Sequence, residues 1–239
     1  MYTTAKSLRV ERHLQIAIDG PAASGKTTVA RAVAQRTGAL YLDTGAMYRA
    51  LAFLALRSGT DVDNGAALAR LASDAHLQVT LDDRALLGFR ITARGREMDP
   101  SDLQSAEVTA IVSTVAAQPE VRSEMVAAQR RIAAGAAVVM AGRDIGTVVL
   151  PDAAVKIYLT ASHDARIERR RAQLEASGVN ADEHRLAQEI DERDRLDRTR
   201  AVSPLERAAD AHVIDSSDVD AAHVVNEICA LARQAVQRA

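Results

Sequence analysis

Cysteine is nearly absent. Cys229 stands alone in 239 residues, which excludes an internal disulfide framework and a cysteine-built zinc site. Tryptophan is missing and aromatics make up 3% of the chain, too few for an RNA module that stacks bases on rings. Lysine occurs only at Lys6, Lys26 and Lys156, so arginine supplies nearly all the positive charge. Charge of one sign is also lacking. The net charge of −2 gives no global basic field that would draw the chain to nucleic acid or membrane. The longest nearly apolar stretch, Ala133 to Gly142, is too short to cross a bilayer. Met1 to Arg12 is polar and has no apolar signal-peptide core. The histidines show no metal-ligand spacing such as His-x-x-x-His. Together these absences lead us to expect a cytoplasmic protein.

What is present suits one well-filled core. Hydrophobic residues are 48% and charged residues 26%, as in ordinary globular domains. Leu14–Asp19, Ala39–Leu42, Ala136–Met140, Ala154–Leu159 and Ala211–Ile214 are short apolar runs, and helical patterns separate them. The helical stretches are Thr27–Arg36, Gly45–Arg57, Asn64–Ala75, about Asp102 to Ala117, Pro119–Ala134, Ser162–Glu175, Asp182–Arg200 and Ala221–Gln237. Asn64 and Ser162 are expected caps, Pro119 a first-turn residue, and Gly178 to Asn180 a break. Five buried strands joined by helices imply a parallel sheet with helices on both faces, an α/β fold. His76–Leu81 and Leu87–Thr92 alternate instead, around the polar Asp82-Asp83-Arg84. They read as an antiparallel hairpin inserted off the sheet.

Gly20-Pro21-Ala22-Ala23-Ser24-Gly25-Lys26-Thr27 follows the first run and opens the first helix. Glycines let the backbone curl its N–H groups inward around an anion, and the helix adds its positive end. Lysine then reaches the β- and γ-phosphates, and the threonine hydroxyl serves Mg²⁺. This is a P-loop, and it says nucleoside triphosphate without saying what is done with it.

Joining two phosphorylated molecules needs fixed cations around both. Arg49 lies just past the second strand, and Arg143-Asp144 follow the third, where open parallel sheets bind ligands. Arg193, Asp197 and Arg200 fall within about 60° of one another on their helix. Taken alone, that helix reads as a solvated charged face, and so do Arg166, Arg169 and Arg170 on the preceding one. Beside a P-loop, the last three become candidates for a mobile lid over the transferred phosphate. Asp19, at the end of the first strand, reads as structural, and Cys229 as a buried core thiol. From these residues the acceptor stays open among nucleotides and other small molecules. A guanine-reading switch is disfavoured, because none of Asn64, Asn180 and Asn226 is followed by lysine.

The stretches IAIDGPAASGKTT, LYLDTGAMYRA, AGRDIGTVVLPDAAVKIYLTAS, ERDRLDRTRAVSPL and ADAHVIDSS resemble the bacterial cytidylate kinases, the CMP/dCMP kinases of the nucleoside-monophosphate kinase fold. DTGAMYR, GRDIGTVV and the RD…D…R…SPL pattern are the specific parts. The resemblance implies transfer of the ATP γ-phosphoryl group to CMP or dCMP, with Mg²⁺ on ATP through Thr27. It implies that Gly20, Pro21, Ala22, Ala23, Ser24, Gly25, Lys26, Thr27 and Thr28 hold ATP, with Arg166 and Arg170 in the lid. Thr44, Arg49, Arg143 and Arg200 would face the acceptor phosphate, with Lys26, Arg49, Arg143 and Arg200 catalytic. Ser113, Arg122 and Asp144 would meet cytosine, and Arg193 and Asp197 the sugar hydroxyls. It also implies one kinase domain and a monomer. Residues 13–45, 99–160 and 179–239 would form the core, 46–98 a monophosphate-binding insertion and 161–178 the lid. Ala141 departs from the family, which often carries an acid before this glycine. The metal's outer shell is then expected to do without it.

Overall fold

The computed structural model describes residues 14–82, 89–176, 178 and 182–238. Its main sheet has five parallel strands: β1 (Gln15–Asp19), β2 (Leu40–Asp43), β6 (Val138–Gly142), β7 (Val155–Thr160) and β8 (His212–Asp215). The spatial order is β2-β6-β1-β7-β8. β1 lies at the centre, and Asp19 is level with Gly142 on one side and Tyr158 on the other. The chain leaves β1 toward one edge and later returns to the other. The crevice at this reversal opens beyond the carboxyl ends of the strands, directly above Gly20.

Alternation in the strands supplies two cores. Ile16, Ile18, Val139 and Ala141 pack toward α1 (Lys26–Thr37) and α9 (Ala221–Arg238). Ala17, Leu42, Val138 and Met140 face α2 (Thr44–Ser58), α3 (Gly65–Ala75), α5 (Ala106–Ala117) and α6 (Pro119–Ala133). Both faces of the sheet are thus covered, and its strands read as nearly unbroken apolar runs. Cys229 is fully buried in the first of these cores, as expected.

Local signals place most element ends. The Asn64 side chain accepts from Ala67 N at 3.0 Å and starts α3. Ser162 accepts from Ala165 N at 3.3 Å and caps α7 (His163–Ala176). Asp182 accepts from Arg185 N at 2.8 Å and caps α8 (Glu183–Thr199). The expected helix from Asp102 to Ala117 is two helices. Asp99 caps a short α4 (Pro100–Leu103), and Ser105 caps α5 by accepting from Val108 N. A serine that bonds the backbone three residues on offers a new helix start in mid-pattern.

The expected hairpin is a three-stranded antiparallel sheet of β3 (Gln78–Leu81), β4 (Phe89–Ala93) and a two-residue β5 (Arg96–Glu97). Phe89 anchors it against Tyr41 of β2, with ring centres 5.7 Å apart. Residues 83–84, 87–88 and 179–180, which carry parts of the expected turn, strand and break, lie outside the described residues, as does the polar N-terminal stretch.

Candidate active site

The P-loop runs from β1 into α1 and owes its path to two glycines. A Cβ on Gly20 would stand 2.0 Å from the Leu159 carbonyl oxygen, so no other residue fits there. Gly25 enters α1 at φ +89°, the left-handed region that glycine adopts freely. Lys26 is buried, and its Nζ donates to Pro21 O at 2.6 Å and Ser24 Oγ at 3.3 Å. Burial and the neighbouring Arg143 charge push its pKa well below the ordinary lysine value. A cation held at such a cost favours an anion beside it.

Thr27 Oγ1 donates to Asp43 Oδ2 at 2.8 Å. The two oxygens are hard donors at the mouth of the loop, the kind Mg²⁺ takes. Asp43 is level with Ala141 in the neighbouring strand. The carboxylate bonded to Thr27 is therefore supplied by β2, one strand over from Ala141, where the resemblance leads to the expectation of an acid. Among the described residues no group of three or more carboxylate, imidazole or thiol side chains gathers around a common point. An ion here would complete its shell with phosphate oxygens and water, as Mg²⁺ prefers.

Across the crevice lies a cluster of arginines and carboxylates. Arg143 Nε donates to Asp197 Oδ2 at 2.7 Å, which ties the end of β6 to α8. Burial depresses the Arg143 pKa, but Asp197 outweighs it and the net direction is upward. Burial raises Asp197, while Arg143 and Arg200 bring it below the usual carboxylate range. Asp144 is buried and ion-paired to Arg122, which is itself only 2% exposed. Arg122 also lies over the Tyr48 ring, 5.4 Å from its centre. Arg200 approaches Asp144 at 3.7 Å and Asp197 at 3.5 Å.

Arg49 Nη1 donates to Leu103 O at 3.1 Å and Thr109 Oγ1 at 3.0 Å. Ser113 is one turn beyond Thr109 on the same face of α5, and α5 packs against α8. Thr44 Oγ1 donates to Ala141 O at 2.9 Å, so this hydroxyl is fixed at the sheet end. Burial and the charges of Arg143 and Arg49 push Arg193 down to about 10, and its buried Nε has no hydrogen-bond partner. Arg122 Nε and Arg200 Nη2 are buried donors in the same state. Buried donors left open beside other cations have the chemistry that an anion with several acceptor oxygens would satisfy.

The structure thus brings together Lys26, Arg49, Arg122, Arg143, Asp144, Arg193, Asp197 and Arg200, all singled out from sequence. Arg170, half-buried on α7, is near enough to lower the pKa of both Arg49 and Arg193. Arg166 is placed differently. It is buried in an ion pair with Asp194, and its Nη1 donates to Ala22 O at 3.2 Å. Its hydrogen bonds go to the wall of the P-loop, and an arginine's reach in a helical run does not say which way it turns.

The sequence model of the cytidylate kinases matches residues 16–234. The chain belongs to the cytidylate kinase family. It is 48% identical over 215 residues to the cytidylate kinase of Pelotomaculum thermopropionicum, covering 90% of this chain and 94% of that one. The corresponding figures for the Geobacillus kaustophilus cytidylate kinase are 44% over 228 residues, 95% and 100%. An uncharacterized protein from Eubacterium ventriosum shares the fold at TM-score 0.53 and 13% identity, covering 93% of this chain and 99% of that one.

Within this kinase-family site, two carboxylates carry more than their sequence positions suggest. Asp19 accepts from both Ile145 N and Gly146 N at 2.7 Å. It holds the turn that carries Arg143 and Asp144, against the first residue of the P-loop. Burial raises its pKa to about 6 against these two bonds, which lower it. The turn is a π-helical one, Ile145–Val149, with Val149 N bonded to Asp144 O and Leu150 N to Ile145 O. Asp194 is the second carboxylate, bonded to Ala22 N and Arg166. An apolar strand ending in aspartate was the only signal for the first. Asp194 stood out in the sequence only as the aspartate of the RD…D…R pattern, with no partner or role to be read from it.

Proposed function

We propose that this enzyme transfers the γ-phosphoryl group of Mg-ATP to CMP and dCMP, giving ADP with CDP or dCDP. The observation that carries the reading is the gathering of the buried Lys26 with the half-buried Arg49, Arg143, Arg193 and Arg200, held by Asp197 and Asp144, at the strand ends beside the P-loop. Lys26 and the backbone N–H groups of residues 23–27 hold the donor. Arg49, Arg143 and Arg200, with Thr44 beside them, hold the acceptor phosphate. Two polyanions that repel in water are then brought together in a site whose positive charge is already in place.

Transfer is in line. A phosphate oxygen of the monophosphate attacks the γ-phosphorus as the bond to the β,γ-bridging oxygen breaks, and the electron pair leaves on ADP. The attacking oxygen is ionised already, so no general base is needed. Bound Mg²⁺ neutralises charge on the transferred group; Thr27 and Asp43 are the side chains that would hold it, directly or through water. Arg170, on the lid segment 161–178, is positioned to follow the moving phosphoryl group. The insertion 46–98 presents Arg49, and the two segments exclude water from the transfer.

The base is read by Asp144 and Arg122. Cytosine offers an N4 amine and an N3 acceptor; uracil offers an oxygen and an N3–H in their place. Asp144 accepts from the amine and Arg122 donates to N3, so uracil meets each group with the wrong partner. Ser113 borders this pocket, and Arg193 and Asp197 take the sugar hydroxyls. A cytoplasmic monomer is part of this proposal; no helix among the described residues is long and apolar enough to cross a membrane. ADP release from Mg-ATP with CMP, dCMP, UMP and AMP offered separately tests the reading. Fast release with the two cytidylates and little with the others is expected. Release with none of the four would refute it.

A further inference from the structure

Ala22 sits inside the P-loop, next to Ala23, whose φ of +58° is left-handed and costly for a residue with a Cβ. Its peptide groups are held from outside the loop on both sides. Ala22 N donates to Asp194 Oδ1 at 3.0 Å, and Ala22 O accepts from Arg166 Nη1 at 3.2 Å. Asp194 and Arg166 are paired with each other, and both are more than nine-tenths buried. The three residues form a closed ring of hydrogen bonds across β1's loop, α7 and α8. A second tie lies one turn along α7. Arg169 donates to Ser216 Oγ at 2.9 Å, and that hydroxyl shares its one proton between Thr160 O at 2.9 Å and Ser24 O at 3.3 Å.

We propose that Asp194 and Arg166 are positioning residues that clamp the P-loop into its anion-binding shape from outside. Arg166 then serves ATP through Ala22 and not by touching it. The three arginines of α7 divide their work. Arg166 and Arg169 brace the loop, and Arg170 is left to face the substrates. The clamp gives a loop of small residues, with a strained alanine at its tip, fixed partners outside itself. The carboxylate ties down an N–H and the guanidinium a C=O of one residue, which leaves the loop's remaining N–H groups directed inward. The same helix α8 presents Arg193 and Asp197 to the opposite substrate, so a tilt of the whole helix would disturb both sites, whereas loss of the clamp disturbs one.

This inference rests on the ATP-dependent reading above, and the test separates the two. Equilibrium binding of ATP and of CMP is measured separately by calorimetry for the wild type, Asp194→Asn and Arg166→Lys, with a thermal melt of each. Asparagine keeps the shape and an acceptor for Ala22 N but loses the charge that holds Arg166. Lysine keeps a charge but cannot bond Asp194 and Ala22 O in one plane. ATP affinity is expected to fall tenfold or more in Asp194→Asn and a few-fold in Arg166→Lys, with CMP affinity within twofold of wild type in both. Unchanged ATP affinity, or equal loss for ATP and CMP in step with the melting temperature, would overturn the clamp. If Asp194→Asn does not fold, Arg166→Lys alone decides by the same criterion. A wild type that binds no ATP would instead sink the reading on which the clamp is built.

Discussion

The two halves of the crevice are built in opposite ways. The P-loop takes eight consecutive residues and presents mostly backbone, with Lys26 as its one charged side chain. The proposed acceptor side draws Arg49, Arg122, Arg143, Asp144, Arg193, Asp197 and Arg200 from several elements and presents mostly side chains. Backbone donors survive every substitution but proline, and they recognise phosphate without regard to what carries it. Side-chain pairs such as Arg122–Asp144 are costly to bury, but they discriminate donor from acceptor. Generality is held on one wall and specificity on the other.

That contrast breaks most sharply at the buried pair. Asp144→Ala leaves the buried Arg122 without its carboxylate and Arg200 with Asp197 alone, and it is expected to cost about 3–5 kcal/mol of folding stability, read as a fall in the unfolding midpoint. Lys26→Ala should behave in reverse. It removes a cation that burial already disfavours, so the melting temperature should hold or rise. The transition state should lose on the order of 3 kcal/mol, seen in kcat/KM. A Lys26→Ala enzyme with unchanged turnover would contradict the donor-side assignment.

Asp19, which joins the two walls, gives a pH signature. Its native pKa of about 6 exceeds the usual carboxylate value, so the folded chain holds this proton more tightly than the unfolded one. The stability it contributes is complete below about pH 4 and is lost as pH rises through about 6. Relative to Asp19→Asn, the wild type should therefore lose on the order of 2 kcal/mol between pH 4 and 7, measured by denaturant titration at each pH. A flat difference would show that Asp19 does not titrate in this window. Thr27→Ala should have the smallest effect. It should weaken the dependence of turnover on Mg²⁺ several-fold, read as a rise in the Mg²⁺ concentration for half-maximal rate, with CMP affinity unchanged.

The same contrast sets what could be read from the sequence. Strands, P-loop and most caps follow from neighbours a few residues away, so they were legible. The arginines and carboxylates of the acceptor side were legible as candidates, since GRD and RD…D…R lie at sheet and helix ends. Partnerships across long separations were not legible. Arg166 and Asp194 are 28 positions apart, and Asp19 and Ile145 are 126 apart. Their directions depend on how α7, α8 and β6 pack. The π-helical turn after Asp144 likewise owes its form to tertiary bonds, whereas the short β5 is local, joined to β4 by the turn Arg94-Gly95 with its glycine at φ +74°.

The central claim is that Asp144 and Arg122 select the cytosine base while the surrounding cations accept any monophosphate. The most direct measurement is the ratio of kcat/KM for CMP to that for UMP, in the wild type and in Asp144→Asn. The account predicts a large ratio in the wild type that collapses toward one in Asp144→Asn, through loss with CMP more than gain with UMP. A ratio that stays as large in the variant would contradict it.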